Sequence, residues 1–382
     1  MSPAATPSGS AAALLAPEER VHLERARRLA RRGWGHVHPN PMVGCVLVDD
    51  RGEVVGEGWH AEFGGPHAEV VALERAGLRA RGATAYVSLE PCLHHGKTPP
   101  CTRALREAGV RRVVFGALDP DPVAGGGAGE LRAAGIEVVG PVWPEREARA
   151  DDPVFFHTRR HGTPFVALKL AASLDGRIAS APGRRTRVTG PEAEREVHRL
   201  RTGFDAVLVG SGTVRADDPR LTPRLVEPGT RPLRRMVLDS EARTPPGAAL
   251  FEDRDRMPVH VFVRRDAPPQ AVERLERAGA RVHAVSGREQ ALDLGEVLEA
   301  CRELGVHSIL CEGGARLAGS LLAERRVHRL YLFLAPRTLG EAGVPAFGPA
   351  AERLDWSGFE PAQPPRLFGR DVLLVLDRHE AD

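Results

Sequence analysis

The chain has 382 residues, 42% apolar and 27% charged, with a formal net charge of +2 from 53 basic and 51 acidic side chains. That length predicts two domains of roughly 150 to 230 residues, each able to bury its own core. Balanced charge excludes a large positive field for holding a phosphate backbone, so nucleic acid is not an expected partner, and no apolar run approaches the ~20 residues of a membrane span.

Residues 1–17 are rich in Ala, Ser and Pro, lack a basic leader region, and are expected to form a disordered tail. The five cysteines are an odd, scattered set, which fits a reducing cytoplasm. From Glu18 to Arg32, apolar Val21, Ala26, Leu29 and Ala30 recur at helical spacing. Met42–Asp49 and Glu53–Trp59 are β-branched runs flanking Gly52 and predict a hairpin. Further on, His67–Ala80 predicts a helix, Ala83–Leu89 a strand, Thr102–Ala108 a helix and Arg112–Ala117 a strand. Asp119–Gly129 reads as loop and Ile136–Val139 as a last strand. Alternation of this kind predicts an α/β domain with a largely parallel, layered sheet over residues 18–145. Charged residues punctuated by Gly162 and Pro164 place a linker at 146–162. A second alternating series fills 163–382, with strands expected at Phe165–Leu170, Ala206–Val209, Arg235–Leu238, Val259–Val263, Ser308–Cys311 and Leu330–Leu334.

One segment carries metal chemistry. A hydrolytic zinc site needs about three nitrogen or sulfur ligands and one position left open for water, with a carboxylate nearby that does not bind the ion. Pro66-His67-Ala68-Glu69-Val70 offers an imidazole at a helix start and a glutamate two residues later. Leu89-Glu90-Pro91-Cys92 follows a strand, and Cys101 lies after eight further residues, just before a helix. His67, Cys92 and Cys101 are therefore the expected Zn2+ ligands and Glu69 the proton shuttle, the order of a zinc-deaminase signature. Two plainer readings stand beside this one. His94 or His95 would close a purely structural site as fourth ligand, and Cys92 and Cys101 would otherwise be unrelated core thiols.

The segments His38-Pro39-Asn40-Pro41-Met42-Val43-Gly44, Pro66–Val70 and Leu89–Cys101, with its long loop between the cysteines, resemble the bifunctional pyrimidine deaminase-reductase family of the riboflavin pathway. That resemblance implies a cytidine-deaminase-like α/β/α layered domain acting on a phosphoribosylaminopyrimidine. By the same match Asn40, Lys97 and Asp121 meet the substrate. Lys97 and Lys169 are the only lysines among the 53 basic residues, retained either because arginine cannot replace an ammonium there or as chance survivors of a bias toward arginine.

In the second half, Leu168–Ala179, Val207–Pro219 and Ile309–Ala318 each run from a strand into a polar or glycine-containing turn, and the last two then enter a helix. Such junctions present backbone N–H groups to phosphate. All three resemble the reductase half of the same family, which implies a dihydrofolate-reductase-like α/β domain using NADPH to convert a ribosyl group to ribityl. The resemblance assigns Ala171, Arg187, Thr213, Asp217 and the turn of Gly314, Ala315, Arg316, Leu317, Ala318, Gly319 and Ser320 to the cofactor. It assigns Lys169, Arg201, Leu221, Arg224 and Glu312 to the sugar phosphate, with Asp217 or Lys169 as the proton-transfer group. It also implies a homo-oligomer, dimer or tetramer.

Three departures from the family pattern are visible. Arg187 stands where the family has tryptophan, Asp121 where it has an amide, and Pro223 interrupts a Leu-Thr-Val-Arg stretch. The leading expectation is a two-step enzyme of riboflavin biosynthesis. The alternatives are a paralogous zinc deaminase acting on another pyrimidine with an altered or non-catalytic reductase half, and a zinc-stapled interaction protein without activity.

Overall fold

Apolar residues on two opposite faces of one short strand set the architecture of the first half. Cys45 and Leu47 point into one core with Ala68, Ala72 and Leu105, while Val46 and Val48 point into another with Leu23, Ala26 and Leu29. A strand buried on both faces requires helices on both sides. The computed structural model describes residues 15–94, 99–227, 229, 231–288, 291–348 and 356–379. The expected tail lies outside these up to residue 14, and Pro17 already opens the first helix.

The chain divides at Gly162 and Thr163 into two compact units. In the first, the order is α1 (Pro17–Ala30), β1 (Gly44–Val48), β2 (Val54–Trp59), α2 (Ala68–Ala76), β3 (Thr84–Leu89), α3 (Cys101–Glu107), β4 (Arg112–Ala117), α4 (Gly127–Ala133), β5 (Glu137–Val139), α5 (Glu145–Asp151) and α6 (Pro153–His161). The sheet order is β2-β1-β3-β4-β5. It is less parallel than its sequence predicts: β1 is antiparallel to both β2 and β3, and only β3-β4-β5 run together. The hairpin forces the first reversal, and α2 then carries the chain across β1 so that β3 pairs on its far side.

Gly56 and Gly58 on β2 let α2 lie against the sheet. A Cβ on Gly58 would sit 2.3 Å from the Ala68 carbonyl oxygen, and one on Gly56 2.2 Å from that of Ala72. The first turn of α2, which carries Glu69, is thereby seated by side chains that are missing.

Residues 146–162, expected as a linker, are instead α5 and α6 of the first unit. Asp152 caps α6 by accepting from the Phe155 N–H at 3.4 Å, Pro153 follows at the first helical position, and the Met42 N–H also donates to Asp152 at 2.8 Å. Phe155 and Phe156 are buried against Leu89 and Ala117, and Arg31 pairs with Asp151 at 2.8 Å. Apart from buried Asp152, the charge that reads as linker is carried by half-buried and exposed side chains of two docked helices.

The second unit runs β6 (Phe165–Ser173), β7 (Arg177–Ala179), α7 (Pro191–Thr202), β8 (Ala206–Gly210), α8 (Ser211–Asp217), β9 (Arg234–Leu238), β10 (Val259–Arg264), α9 (Pro269–Arg277), β11 (Ala280–Val285), β12 (Gly287–Arg288), β13 (Ala291–Leu292), α10 (Leu294–Glu303), β14 (Ser308–Cys311), α11 (Ala315–Ala323), β15 (Arg329–Ala335), β16 (Val344–Pro345), β17 (Phe359–Pro361), β18 (Arg366–Phe368) and β19 (Asp371–Arg378). Its main sheet has the order β11-β10-β9-β8-β14-β6-β15-β19-β17, with β18 also on β19. Pairings from β11 through β15 are parallel, and β19 reverses the direction. The strand order turns back at β8, β14 and β6, the switch point where α/β sheets open a crevice at their carboxyl ends. Among the described residues no helix is long and apolar enough to cross a membrane.

Candidate active sites

The first unit brings its three soft donors together. Nδ1 of His67 lies 3.2 Å from Sγ of Cys101 and 3.5 Å from Sγ of Cys92, and all three donor atoms fall within 4.8 Å of one another. Tetrahedral zinc with ordinary bond lengths separates nitrogen and sulfur ligands by about 3.5 Å and two sulfurs by about 3.8 Å, so the set fits the ion. His67 is the N-cap of α2, Cys92 follows β3 and Cys101 opens α3. The Cys101 N–H donates to Cys92 Sγ at 3.4 Å. Donation from the Cys101 thiol, with help from His67, holds the Cys92 thiol well below its usual range. The proton left on Cys101 beside it is correspondingly harder to remove. One thiolate is thus already favoured, the form a metal binds.

Glu69, in the first turn of α2, is buried and borders the same cavity without belonging to the ligand cluster. Burial, reinforced by Cys92, pushes its carboxyl up to about 7. A carboxyl in that range can both take and return a proton near neutrality. His94 borders the cavity but is not in the cluster, and His95 and Lys97 lie outside the described residues.

The cavity, about 150 Å³, also receives Asn40 and Asp121. Asn40 Nδ2 is 3.1 Å from His60 Nε2, while His60 Nδ1 is 3.0 Å from the Pro66 carbonyl oxygen. The carbonyl can only accept, so Nδ1 carries the proton and Nε2 accepts from Asn40. Burial lowers the His60 pKa and keeps that neutral form. Asp119, also on the cavity wall, has its carboxyl pushed up to about 7 by burial, with Asp121 and Glu90 adding to the shift. His60, Glu90, Asp119 and Arg159 were not among the expected site residues. His60 directly follows β2 and Glu90 stands two before Cys92, signals that were legible; Arg159 comes from α6, which was not.

The second unit holds a larger cavity, about 860 Å³, bordered by Lys169, Ala171, Arg187, Arg201, Thr213, Asp217, Leu221, Arg224, Glu312 and Gly314. Arg201 grips Glu312 with both ends of its fork, Nε to Oε1 at 2.6 Å and NH2 to Oε2 at 3.0 Å, and NH1 donates to the Thr222 carbonyl at 2.9 Å. Lys169 Nζ lies 3.9 Å from Glu312 Oε2. Burial works against ionisation of Glu312, yet Arg201 and Lys169 outweigh it and hold the carboxyl below its usual range. Burial lowers the Lys169 pKa, opposed by Glu312.

Asp217 ends α8 facing the cavity, and burial raises its carboxyl. The neighbouring Asp218 turns elsewhere, its Oδ1 accepting from the Ala249 N–H at 2.8 Å. Asp218 and Leu221 hold left-handed backbone, φ 43° and 55°, so the segment lining this wall is conformationally constrained. Arg187 is largely exposed and pairs with Glu194. The Gly314–Ser320 turn is a turn only at Gly314, where α11 begins; Ala315, Arg316, Leu317, Ala318, Gly319 and Ser320 are helical and do not border the cavity. Ala318 is fully buried in the core beneath it. His198, buried and held down to about 4 mainly by burial, is a wall residue that was not expected.

Both halves of the chain match known proteins. Residues 17–117 match the cytidine and deoxycytidylate deaminase zinc-binding region, and 164–358 match the RibD C-terminal domain. The riboflavin biosynthesis protein RibD of Actinobacillus pleuropneumoniae is 38% identical over 357 residues, 92% of this chain and 93% of its own. The chain belongs to the RibD family. Two solved structures agree throughout their length: RibD of Acinetobacter baumannii, 33% identical with TM-score 0.77, covers 95% of this chain and 99% of its own. The deaminase/reductase of Thermotoga maritima, 35% identical with TM-score 0.78, has the same coverage.

Membership in this family makes the chain a bifunctional enzyme of riboflavin biosynthesis, a zinc-dependent deaminase joined to an NADPH-dependent reductase. Its halves are the cytidine-deaminase-like layered domain and the RibD C-terminal domain that carries the reductase. Nothing in the comparisons favours the paralogue with a non-catalytic second half.

Proposed function

We propose that the substrate is 2,5-diamino-6-(5-phosphoribosylamino)pyrimidin-4(3H)-one, the pyrimidine on which the Thermotoga maritima deaminase/reductase is named as acting. The first site would hydrolyse its amidine to a carbonyl with loss of ammonia, and the second would reduce the ribosyl group to ribityl. The observation that carries this reading is the convergence of His67, Cys92 and Cys101 beside an unligating, buried Glu69.

His67, Cys92 and Cys101 would hold zinc, which when bound supplies Lewis-acid activation of water. Glu69 takes a proton from the attacking water and passes it to the ring nitrogen, then takes the remaining proton of the added hydroxyl as the carbonyl forms and gives it to the amine, which leaves as ammonia. Asn40, turned toward the cavity by His60, hydrogen-bonds the pyrimidine, and Asp121 faces the same ligand. The resemblance gives Lys97 the phosphoribosyl end.

In the second unit Gly314, at the N-terminus of α11, with Thr213, Ala171 and Arg187 would border NADPH, which supplies reducing equivalents. Buried Arg201 and Glu312 keep Lys169 in place, while Leu221 and Arg224 close the substrate side. Asp217 or Lys169 moves the proton that opening of the ribosylamine ring requires. The enzyme would work in the cytoplasm as a dimer or tetramer, which its five buried, unpaired cysteines and its family support.

Purified enzyme given the diaminopyrimidinone ribotide should release ammonia first and consume NADPH only afterwards. Ammonia without NADPH consumption would overturn the second half of the reading; neither activity in a zinc-loaded chain would overturn both.

A further inference from the structure

The deaminase cavity is lined by acids. Glu69, Glu90, Asp119 and Asp121 all border it, and Arg159 is the one arginine or lysine among its described lining residues. A ligand bearing a phosphate would meet net repulsion on such walls unless a cation were held where the phosphate comes to rest. Arg159 is held in that way. Its NH1 lies 3.3 Å from Asp121 Oδ2, its NH2 donates to the Pro39 carbonyl at 3.4 Å, next to Asn40, and its guanidinium lies over the Phe155 ring at 5.5 Å from the centroid. The anchor is itself fixed, because Asp121 Oδ1 accepts from the Val123 N–H at 2.9 Å. The Arg159 side chain keeps 37% of its surface exposed, and a guanidinium has five N–H donors, of which these contacts occupy only part.

We infer that Arg159 is a substrate-binding residue of the deaminase site, its fork receiving the phosphate of the ribotide while Asp121 and Phe155 keep it aimed. This rests on the substrate reading above and deepens it. Asp121 then acts as a positioning residue for Arg159 rather than as a direct reader of the pyrimidine. A guanidinium already ordered by a carboxylate and a ring loses less freedom on meeting an anion than a free one, and it remains charged at every working pH.

The test compares two substrates, the ribotide and the same compound without its phosphate, on the full-length enzyme with ammonia release as readout. Arg159→Ala should raise KM for the ribotide roughly 10- to 100-fold, the range of a lost charge-assisted hydrogen bond, with a much smaller change in kcat. Its KM for the phosphate-free compound should stay close to that of the parent. Arg159→Lys should recover part of the ribotide KM, and Asp121→Asn should show a weaker version of the same substrate-dependent rise. Zinc content equal to the parent reports that the deaminase unit is folded. Equal losses on both substrates, or no rise in ribotide KM, would overturn the role of Arg159 while leaving the substrate reading intact. A parent enzyme that releases no ammonia from the ribotide would overturn the substrate reading, and this inference with it.

Discussion

Replacing Arg201 by methionine isolates the electrostatic centre of the reductase unit. Arg201 and Glu312 are about nine-tenths buried and joined by two hydrogen bonds, with a third from Arg201 to the Thr222 carbonyl. Removing one partner of a buried pair costs about 3–5 kcal/mol, because the remaining charge is left without compensation. Lys169, 3.9 Å from Glu312, offsets part of that, so the loss should lie near the lower end, about 3 kcal/mol. The pH dependence should also change sign. In the native chain the Glu312 carboxyl lies below its usual value, so its contribution is complete above the unfolded value and disappears as pH falls through the folded one. Without Arg201, burial dominates and the carboxyl moves up, so stability should decline as pH rises from about 4.3. Hydrogen exchange of peptides covering β6, β8 and β14, corrected for intrinsic rates and measured across pH 4 to 7, reads both effects in this unit alone. The double variant Arg201→Met/Glu312→Leu should recover most of the loss, since no buried charge is then stranded. A single variant less than about 1 kcal/mol weaker than the parent, or a double variant no better than the single, would refute the reasoning.

Glu69→Gln should retain zinc and lower ammonia release by roughly 10²- to 10⁴-fold, the usual contribution of a general acid-base group; metal analysis with a turnover assay checks it. Lys169→Ala should impair NADPH consumption on the deaminated substrate and leave ammonia release intact, and equal loss of both would indicate a folding defect. Gly58→Val should push α2 off β2, since even a Cβ would stand 2.3 Å from the Ala68 carbonyl. The expected cost is about 1–3 kcal/mol, together with lower zinc affinity and unchanged reductase activity, read by metal titration and NADPH oxidation.

The zinc site was legible because each ligand stands at a junction between regular elements that local pattern locates well. His67 precedes an amphipathic helix, Cys92 follows a β-branched strand, and Cys101 opens a helix after two prolines. The long loop between the cysteines hides the pair from a short-spacing search but not from that logic. Residues that meet only through the fold were less visible. Arg159 reaches Pro39 across 120 positions, and its helix was masked by a charged composition whose apolar side is just Phe155 and Phe156 with their neighbours.

In the second unit, Glu194, Val197, His198 and Arg201 share one face of α7 and all border the cavity, a helical spacing that could have led from Arg201 to His198. The Gly314–Ser320 segment was legible in position but not in conformation: six of its seven residues continue from Gly314 into α11, because a glycine pair before a helix marks where backbone N–H groups are exposed, not how the chain runs beyond them. The strand β19 alternates buried and half-buried residues throughout its length, but it pairs with β15 some 40 residues earlier in sequence and antiparallel to the rest, a placement no local pattern specifies.

Zinc removal tests the central claim most directly. Enzyme stripped by a chelator and assayed separately on the ribotide and on its deaminated product should lose ammonia release, keep NADPH consumption on the product, and regain deamination when one zinc per chain is restored. Undiminished ammonia release from the metal-free enzyme would contradict the account, as would simultaneous loss of both activities from a chain whose second unit remains folded.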